Sequence, residues 1–251
     1  MTVRIDTMTG WVRLTLDRPE ARNTLNTAML AALAGALEAC AVDPACRAVV
    51  IRGEGGTFAA GSDIAEIEHK GAADAAIDPR KAHWAAIRAF PKPLIAAVDG
   101  FALGGGFELA LMADLLVLGA GARVGLPETG LGLVPGAGGG QRLLALVGPA
   151  RAARLVLTGE IIDAPTAFAW GIGAYLAEGS ASDDAEALAT RIASRAPLAL
   201  AAAKAALVEG AERGLAFSEE RAGFEALLDS ADKAEGIRAF RAKRPPEFRG
   251  T

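Results

Sequence analysis

Two carboxylates sit where acids are seldom found. Glu108 lies one residue inside an apolar helical stretch, FELALMAD, which follows three consecutive glycines, Gly104 to Gly106. Its neighbours Phe107, Leu109, Ala110 and Leu111 leave little room for a wet face, so burial is expected rather than a solvated acid at a helix start. A polar group buried without a partner costs on the order of ~1–3 kcal/mol and an ionised one costs more, so chains keep such groups mainly at sites of function. Glu128 follows Pro127 in a stretch that is otherwise neutral from Val124 to Gln141, and it reads equally well as an exposed loop acid. The pair matters more than either member. Of two acids at one site, an ionised one can take a proton from water while a neutral one donates a proton elsewhere. Close carboxylates titrate as a unit, so the residues alone do not say which is which.

Glycines offer the other half of a site. Gly104 to Gly106 let backbone approach a ligand with no side chain in the way. Amides at the start of the Phe107 helix point outward, where an oxyanion can sit. Gly61-Ser62-Asp63 offers a second helix-start amide. Two such N–H groups from separate loops can hold a carbonyl oxygen as it becomes an enolate; the same glycines also suit tight packing alone.

The elements that must position these groups follow from local pattern. In KPLIAAVDGFALGGGFELALMADLLVL, residues 92–118, the run Leu94 to Val98 reads as a buried strand, Asp99-Gly100 as a turn, and Leu115 to Leu118 as a second strand. Upstream, Val3 to Asp6 and Trp11 to Leu16 alternate around Thr9-Gly10 as a hairpin. The loop RPEARNTLN leads to a helix, Ala28 to Ala39, capped by Asn26 or Thr27. Ala48 to Ile51 is a short strand, and Asp63 is placed to cap the next helix. Residues 66–91 read as a mobile polar connection, then a helix ending near Phe90. Arg123 to Leu126 reads as a strand, and PETGLGLVPGAGGGQRL as a loop entering a helix near Gln141. Helical patterns then dominate at 150–157, 164–170, 183–195, 198–209, 215–228 and 233–242, with a strand-like Ala174 to Leu176 between. Strands alternating with helices, then helices, predict the α/β class.

Composition removes other classes. The net charge is −4 and no basic block precedes the C-terminal tail, so nucleic acid has no electrostatic footprint. No apolar run approaches the ~20 residues that span a bilayer. The start, MTVRIDTMTG, lacks a leader pattern, and Cys40 and Cys46 read as small buried hydrophobes, which suits a reducing cytoplasm. GAGGGQ at 136–141 has Gln141 where the dinucleotide fingerprint needs glycine, and no phosphate loop is present. His69 and His83 lie in the polar connection, and no ligand cluster indicates a metal.

These residues resemble the crotonase superfamily, specifically its enoyl-CoA hydratases. LDRPEARNTLN is similar to the family's opening CoA-proximal loop, FAAGSDIAE to its FxAGADIxE segment, and KPLIAAVDGFALGGGFELALMADLLV with PETGLGLVPGAGGGQRL to its signature region. LTGEIIDAPTAFAWGI and EGIRAFRAKRPPEF match later landmarks, so the resemblance covers nearly the whole chain. It implies a spiral of ββα turns over residues 1–195 with a helical C-terminal trimerisation region over 196–251, in a homotrimer or homohexamer. By position, the oxyanion amides are those of Ser62 and Gly105 and the catalytic acids are Glu108 and Glu128. Ala60, Ser62 and Arg22 lie at the CoA, and Phe224 and Lys243 match positions that reach CoA, often from a neighbouring subunit. Ser62 replaces the usual Ala, Ala65 stands where many members carry a CoA-contacting Lys, and Asp99 replaces a common Asn.

The implied activity is addition of water across the double bond of a 2-enoyl-CoA thioester, with CoA as part of the substrate and no separate cofactor. Family precedent has Glu108 activate water and Glu128 supply the proton. The alternatives are an enoyl-CoA isomerase, a specialised hydratase or dehydratase of aromatic, branched or carnitine-derived thioesters, and a non-enzymatic acyl-CoA-binding or RNA-binding member, the last disfavoured by the acidic balance. The polar 66–91 connection follows the Gly61-Ser62 loop directly and is expected to shape the acyl pocket.

Overall fold

The computed structural model of the chain describes residues 2–68, 70, 73–74, 77–213 and 230–251. Its centre is a six-stranded sheet. The hairpin β1 (Val3–Met8) and β2 (Trp11–Leu16) is antiparallel, and β3 (Val49–Gly53), β4 (Leu94–Val98), β6 (Leu115–Leu118) and β9 (Tyr175–Leu176) continue it in parallel in that order. Alternation along these strands splits the core into two layers. Val49, Ile51, Leu94, Ala96 and Val98 face one apolar cluster with helix α1 (Thr27–Val42), which supplies Met29, Leu30, Leu33 and Leu37. Val50, Ile95, Ala97 and Val117 face the other, against Ala181, Ala185, Leu188 and Ala189 of the helix Ala181–Ala193. Because both faces are covered, the parallel strands read as apolar runs.

A small second sheet decides the site. Strands β5 (Phe101–Leu103) and β7 (Arg123–Gly125) pair in parallel, and β8 (Ile161–Asp163) joins β7 antiparallel. Neither β5 nor β8 was expected from sequence. Each has three residues and gains its ladder from partners distant in the chain. Isolated bridges tie Ala59 to Ala102 and Leu25 to Ser62, so the Gly61-Ser62 loop is fastened to β5 and to the approach of α1.

Several local expectations change. Asn26 caps α1, accepting the Met29 N–H at 2.8 Å, and the helix runs three residues past Ala39 to Val42. Asp63 precedes helix α2 (Ile64–Ile67) but makes no side-chain cap bond; its Oδ2 accepts Nη1 and Nη2 of Arg18, both at 3.2 Å. The polar connection holds α2 and then α3 (Arg80–Arg88). The helix expected near Gln141 and that at 150–157 are parts of one element, Gly139–Thr158, broken at Gly148 (φ 75°, ψ 171°). Asp99 links two elements: its Oδ1 accepts Ala181 N–H at 2.9 Å and its Oδ2 the Ser180 hydroxyl at 2.7 Å. The pattern at 215–228, Phe224 and His69 lie outside the described residues. No helix among the described residues is long and apolar enough to cross a membrane.

Candidate active site

Helix α4 (Gly105–Leu111) is seated by β5 and buried along its whole length, so it carries Glu108 into the interior, 3% exposed. The Glu108 carboxylate is not orphaned. Its Oε1 accepts the N–H of Ala137 at 2.7 Å and of Gly139 at 2.9 Å. These amides belong to the first turn and entry of helix α5 (Gly139–Thr158), whose positive end therefore faces an acid. Gly139 has to be glycine: a Cβ there would stand 2.7 Å from Cγ of Glu108. Arg142 Nη1 reaches back to the Ala137 carbonyl at 3.2 Å and steadies the same turn.

Glu128 opens a 3₁₀ turn, Glu128–Leu131, directly after β7 and Pro127, and it is half-buried rather than an exposed loop acid. Its Oε2 is buried with no hydrogen-bond partner. Its other oxygen points at Gly104, where an added Cβ would lie 3.0 Å from Oε1. The backbone also joins the two acids, since Gly104 N–H donates to the Gly125 carbonyl at 2.9 Å and Glu108 N–H to the Gly104 carbonyl at 2.8 Å. Burial raises the Glu128 carboxyl above the ordinary carboxylate range, the Glu108 charge adds to this, and the Glu128 N–H offsets part of it. The arrangement is one acid pinned as a hydrogen-bond acceptor and a second biased toward holding its proton.

The two amides expected at an oxyanion site come together. A Cβ built on Gly105 would stand 3.4 Å from Ser62 N and 2.6 Å from Ser62 Oγ, so the loop and the helix start are in contact. Neither N–H donates to a backbone carbonyl among the described residues. Gly106 lets the helix close on the loop, because its Cβ would fall 2.2 Å from the Ala59 carbonyl oxygen.

The other expected residues divide. Ala60 N–H donates to the Arg22 carbonyl at 3.0 Å, so these two share one edge of the loop, with Arg22 exposed in a left-handed conformation (φ 49°). Lys243 is exposed just past the helix Ala231–Ala242, in the left-handed region at φ 50°. Cys40 and Cys46 are both buried.

Two residues escaped the sequence reading. Asn23, fully buried at φ 54°, pins the opening loop: Nδ2 donates to the carbonyls of Glu54 (2.9 Å) and Thr57 (2.6 Å), and Oδ1 accepts Arg18 N–H (2.9 Å). An Asn before Thr in a loop was the available signal. Arg80, 8% exposed, donates from Nη2 to Ser62 Oγ at 3.2 Å. It sits in a charged stretch, DPRK, that gives no hint of burial.

A family model described as enoyl-CoA hydratase/isomerase matches residues 6–251. The 2,3-dehydroadipyl-CoA hydratase of Escherichia coli is 46% identical over 240 residues, covering 94% of each chain. The crotonyl-CoA hydratase of Syntrophomonas wolfei is 38% identical over 243 residues, covering 94% of this chain and 93% of its own. The crystal structure of an enoyl-CoA hydratase from Bacillus anthracis superposes with a TM-score of 0.94 at 32% identity, covering 100% of both chains.

Proposed function

The chain belongs to the enoyl-CoA hydratase/isomerase family, and from that premise we propose that it is an enoyl-CoA hydratase working through Glu108, Glu128 and the amides of Ser62 and Gly105. The thioester oxygen accepts both amide N–H groups, which draws electron density from the β-carbon. Water lies between the two acids. Glu108 takes one proton from it as the water oxygen bonds to the β-carbon, and the π electrons pass to the thioester oxygen as an enolate. Glu128 then delivers its proton to the α-carbon as the enolate collapses. One proton has entered Glu108 and one has left Glu128, so transfer between the acids restores the site. The observation that carries this reading is the buried, unpartnered Oε2 of Glu128 beside a Glu108 already anchored through Oε1.

Arg22, Ala60 and Ser62 line the loop edge proposed for the CoA moiety, and no cofactor beyond the CoA thioester is invoked. The acyl group need not be a plain hydrocarbon, since a relative is named for a dicarboxylic thioester. Assembly through residues 196–251 into a homotrimer or homohexamer, with Lys243 reaching the CoA of a neighbouring copy, belongs to the same reading, and the exposed Leu207 and Val208 on the helix Pro197–Arg213 support an apolar contact there. The reducing cytoplasm is the setting proposed for it.

The test is hydration of crotonyl-CoA, followed by loss of the conjugated thioester absorbance, for the native protein beside Glu108→Gln and Glu128→Gln. Native turnover that falls by about 10²–10⁴ in each variant supports the two-acid hydratase. Movement of the double bond without water uptake would make the isomerase the better reading.

A further inference from the structure

Arg80 opens helix α3 (Arg80–Arg88) and is 8% exposed, yet among the described residues its guanidinium forms no salt bridge. Asp78, two positions earlier, is near enough for its charge to act on Arg80, but its Oδ2 accepts Lys70 Nζ at 2.7 Å and its Oδ1 the Arg80 backbone N–H at 2.9 Å, so neither oxygen is taken by the guanidinium. The guanidinium offers five N–H donors. Among the described residues one hydrogen bond uses them, from Nη2 to Ser62 Oγ at 3.2 Å. A buried cation whose nearby carboxylate is paired with a lysine is only partly compensated, and a planar fork of donors suits a carboxylate in two-point contact.

Its position narrows the ligand. The guanidinium is one hydrogen bond from the side chain whose own amide faces Gly105, so it adjoins the site of the thioester carbonyl. It stands on the segment that follows the oxyanion loop, whereas the Arg22–Ala60 backbone bond lies on the segment that leads into it. An anion reaching Arg80 from a thioester seated at Ser62 and Gly105 therefore belongs to a short acyl chain. We propose that Arg80 is a specificity-determining residue that binds a carboxylate at the far end of a short-chain 2-enoyl-CoA, making dicarboxylic mono-CoA thioesters the preferred substrate class. This rests on the acyl-CoA hydratase reading above.

The experiment compares ligands that differ only at that end. Binding of adipyl-CoA and hexanoyl-CoA, neither of which carries the reactive double bond, is measured by calorimetry on the native protein, Arg80→Gln and Arg80→Lys. Hydration of 2,3-dehydroadipyl-CoA and 2-hexenoyl-CoA is followed in parallel. The native protein is expected to favour the dicarboxylic member of each pair by roughly ten- to hundredfold, as a charge-assisted contact does. Arg80→Gln should abolish the ratio, and Arg80→Lys should keep part of it. Equal native affinity for adipyl-CoA and hexanoyl-CoA overturns the assignment without any variant having to fold. A ratio unchanged in Arg80→Gln also overturns it, as does equal weakening of both ligands, which would move the guanidinium to a CoA phosphate. Hydration of 2-hexenoyl-CoA with no dicarboxylic preference removes the Arg80 assignment and leaves the hydratase standing. No binding or turnover of any of the four thioesters removes both.

Discussion

The carboxylate of Glu128 occupies the space that Gly104 leaves by having no side chain: a Cβ on Gly104 would stand 3.0 Å from Oε1 of Glu128. Gly104 also adopts φ 50°, ψ −126°, a conformation that side chains strongly disfavour. One residue thus serves the turn into α4 and the seat of an acid. Gly104→Ala is expected to cost about 1–3 kcal/mol of stability through backbone strain. It should also lower kcat more than it raises KM, because the displaced group is the proposed proton donor. Thermal melting and steady-state hydration of crotonyl-CoA check the two effects, and a variant with native kcat would detach Gly104 from the acid.

Glu108→Gln and Gly139→Ala should separate chemistry from anchoring. The Gln amide oxygen can still accept from Ala137 and Gly139, so Glu108→Gln is expected to lose turnover while melting near the native temperature. Gly139→Ala drives a Cβ to 2.7 Å from Glu108 Cγ and should lose turnover and stability together. Equal melting losses in both variants would contradict the anchoring described.

Glu128 makes stability fall as pH rises. Its carboxyl is raised in the folded chain, by burial first and by the charge of Glu108 second, above the value of 4.5 it has when unfolded. Between 4.5 and the higher folded value the folded state holds the extra proton, so stability is lost as pH climbs through that window. Glu128→Gln removes the charge that must be buried. It is expected to melt above the native protein at pH 8, with the gap closing by pH 4. A constant gap across that range would refute the linkage.

The C-terminal tail behaves in the opposite sense. Glu235 accepts Arg244 Nη1 at 2.7 Å and Nη2 at 3.0 Å, and the Glu247 N–H at 3.0 Å. Its hydrogen bonds to Arg244 lower the carboxyl from 4.5 to about 2. A lowered folded value gives stability that is present above 4.5 and lost as pH falls toward about 2. Glu235→Gln should therefore loosen residues 244–251 at pH 7, seen as faster amide exchange of Glu247 and faster proteolysis of the tail. Near pH 2 the variant and the native chain should match.

Legibility depended on how far each cause reaches along the chain. Leu94–Val98 announced itself because all five residues are buried and apolar. The burial of Glu108 could be read from Phe107 and Leu109 on either side. Strands β5 and β8 could not, since three residues carry no period and their pairing comes from β7. Asp63 has the right type and place for a cap, but Arg18, 45 positions earlier, draws its carboxylate away. Arg80 was hidden for a related reason: a charged neighbourhood in sequence became an interior one once α3 packed its Trp84 and Ile87 into the core.

By itself the sequence determined which reactive groups exist and which short stretches present them: a Glu in an apolar helix, a Glu after Pro127, and glycines ahead of two helix starts. Caps, turns and apolar periods act within a few residues, so these are written locally. Tertiary structure alone decided which atom of each group is available. Parallel pairing of β5 with β7 sets Gly104 against Glu128. The entry of α5, 29 and 31 positions beyond Glu108, fills Oε1 of that acid. Oε2 of Glu128 is left without a partner. Hydrogen bonds are satisfied or left open over about 3 Å, and only the folded chain brings residues so far apart in sequence within that range.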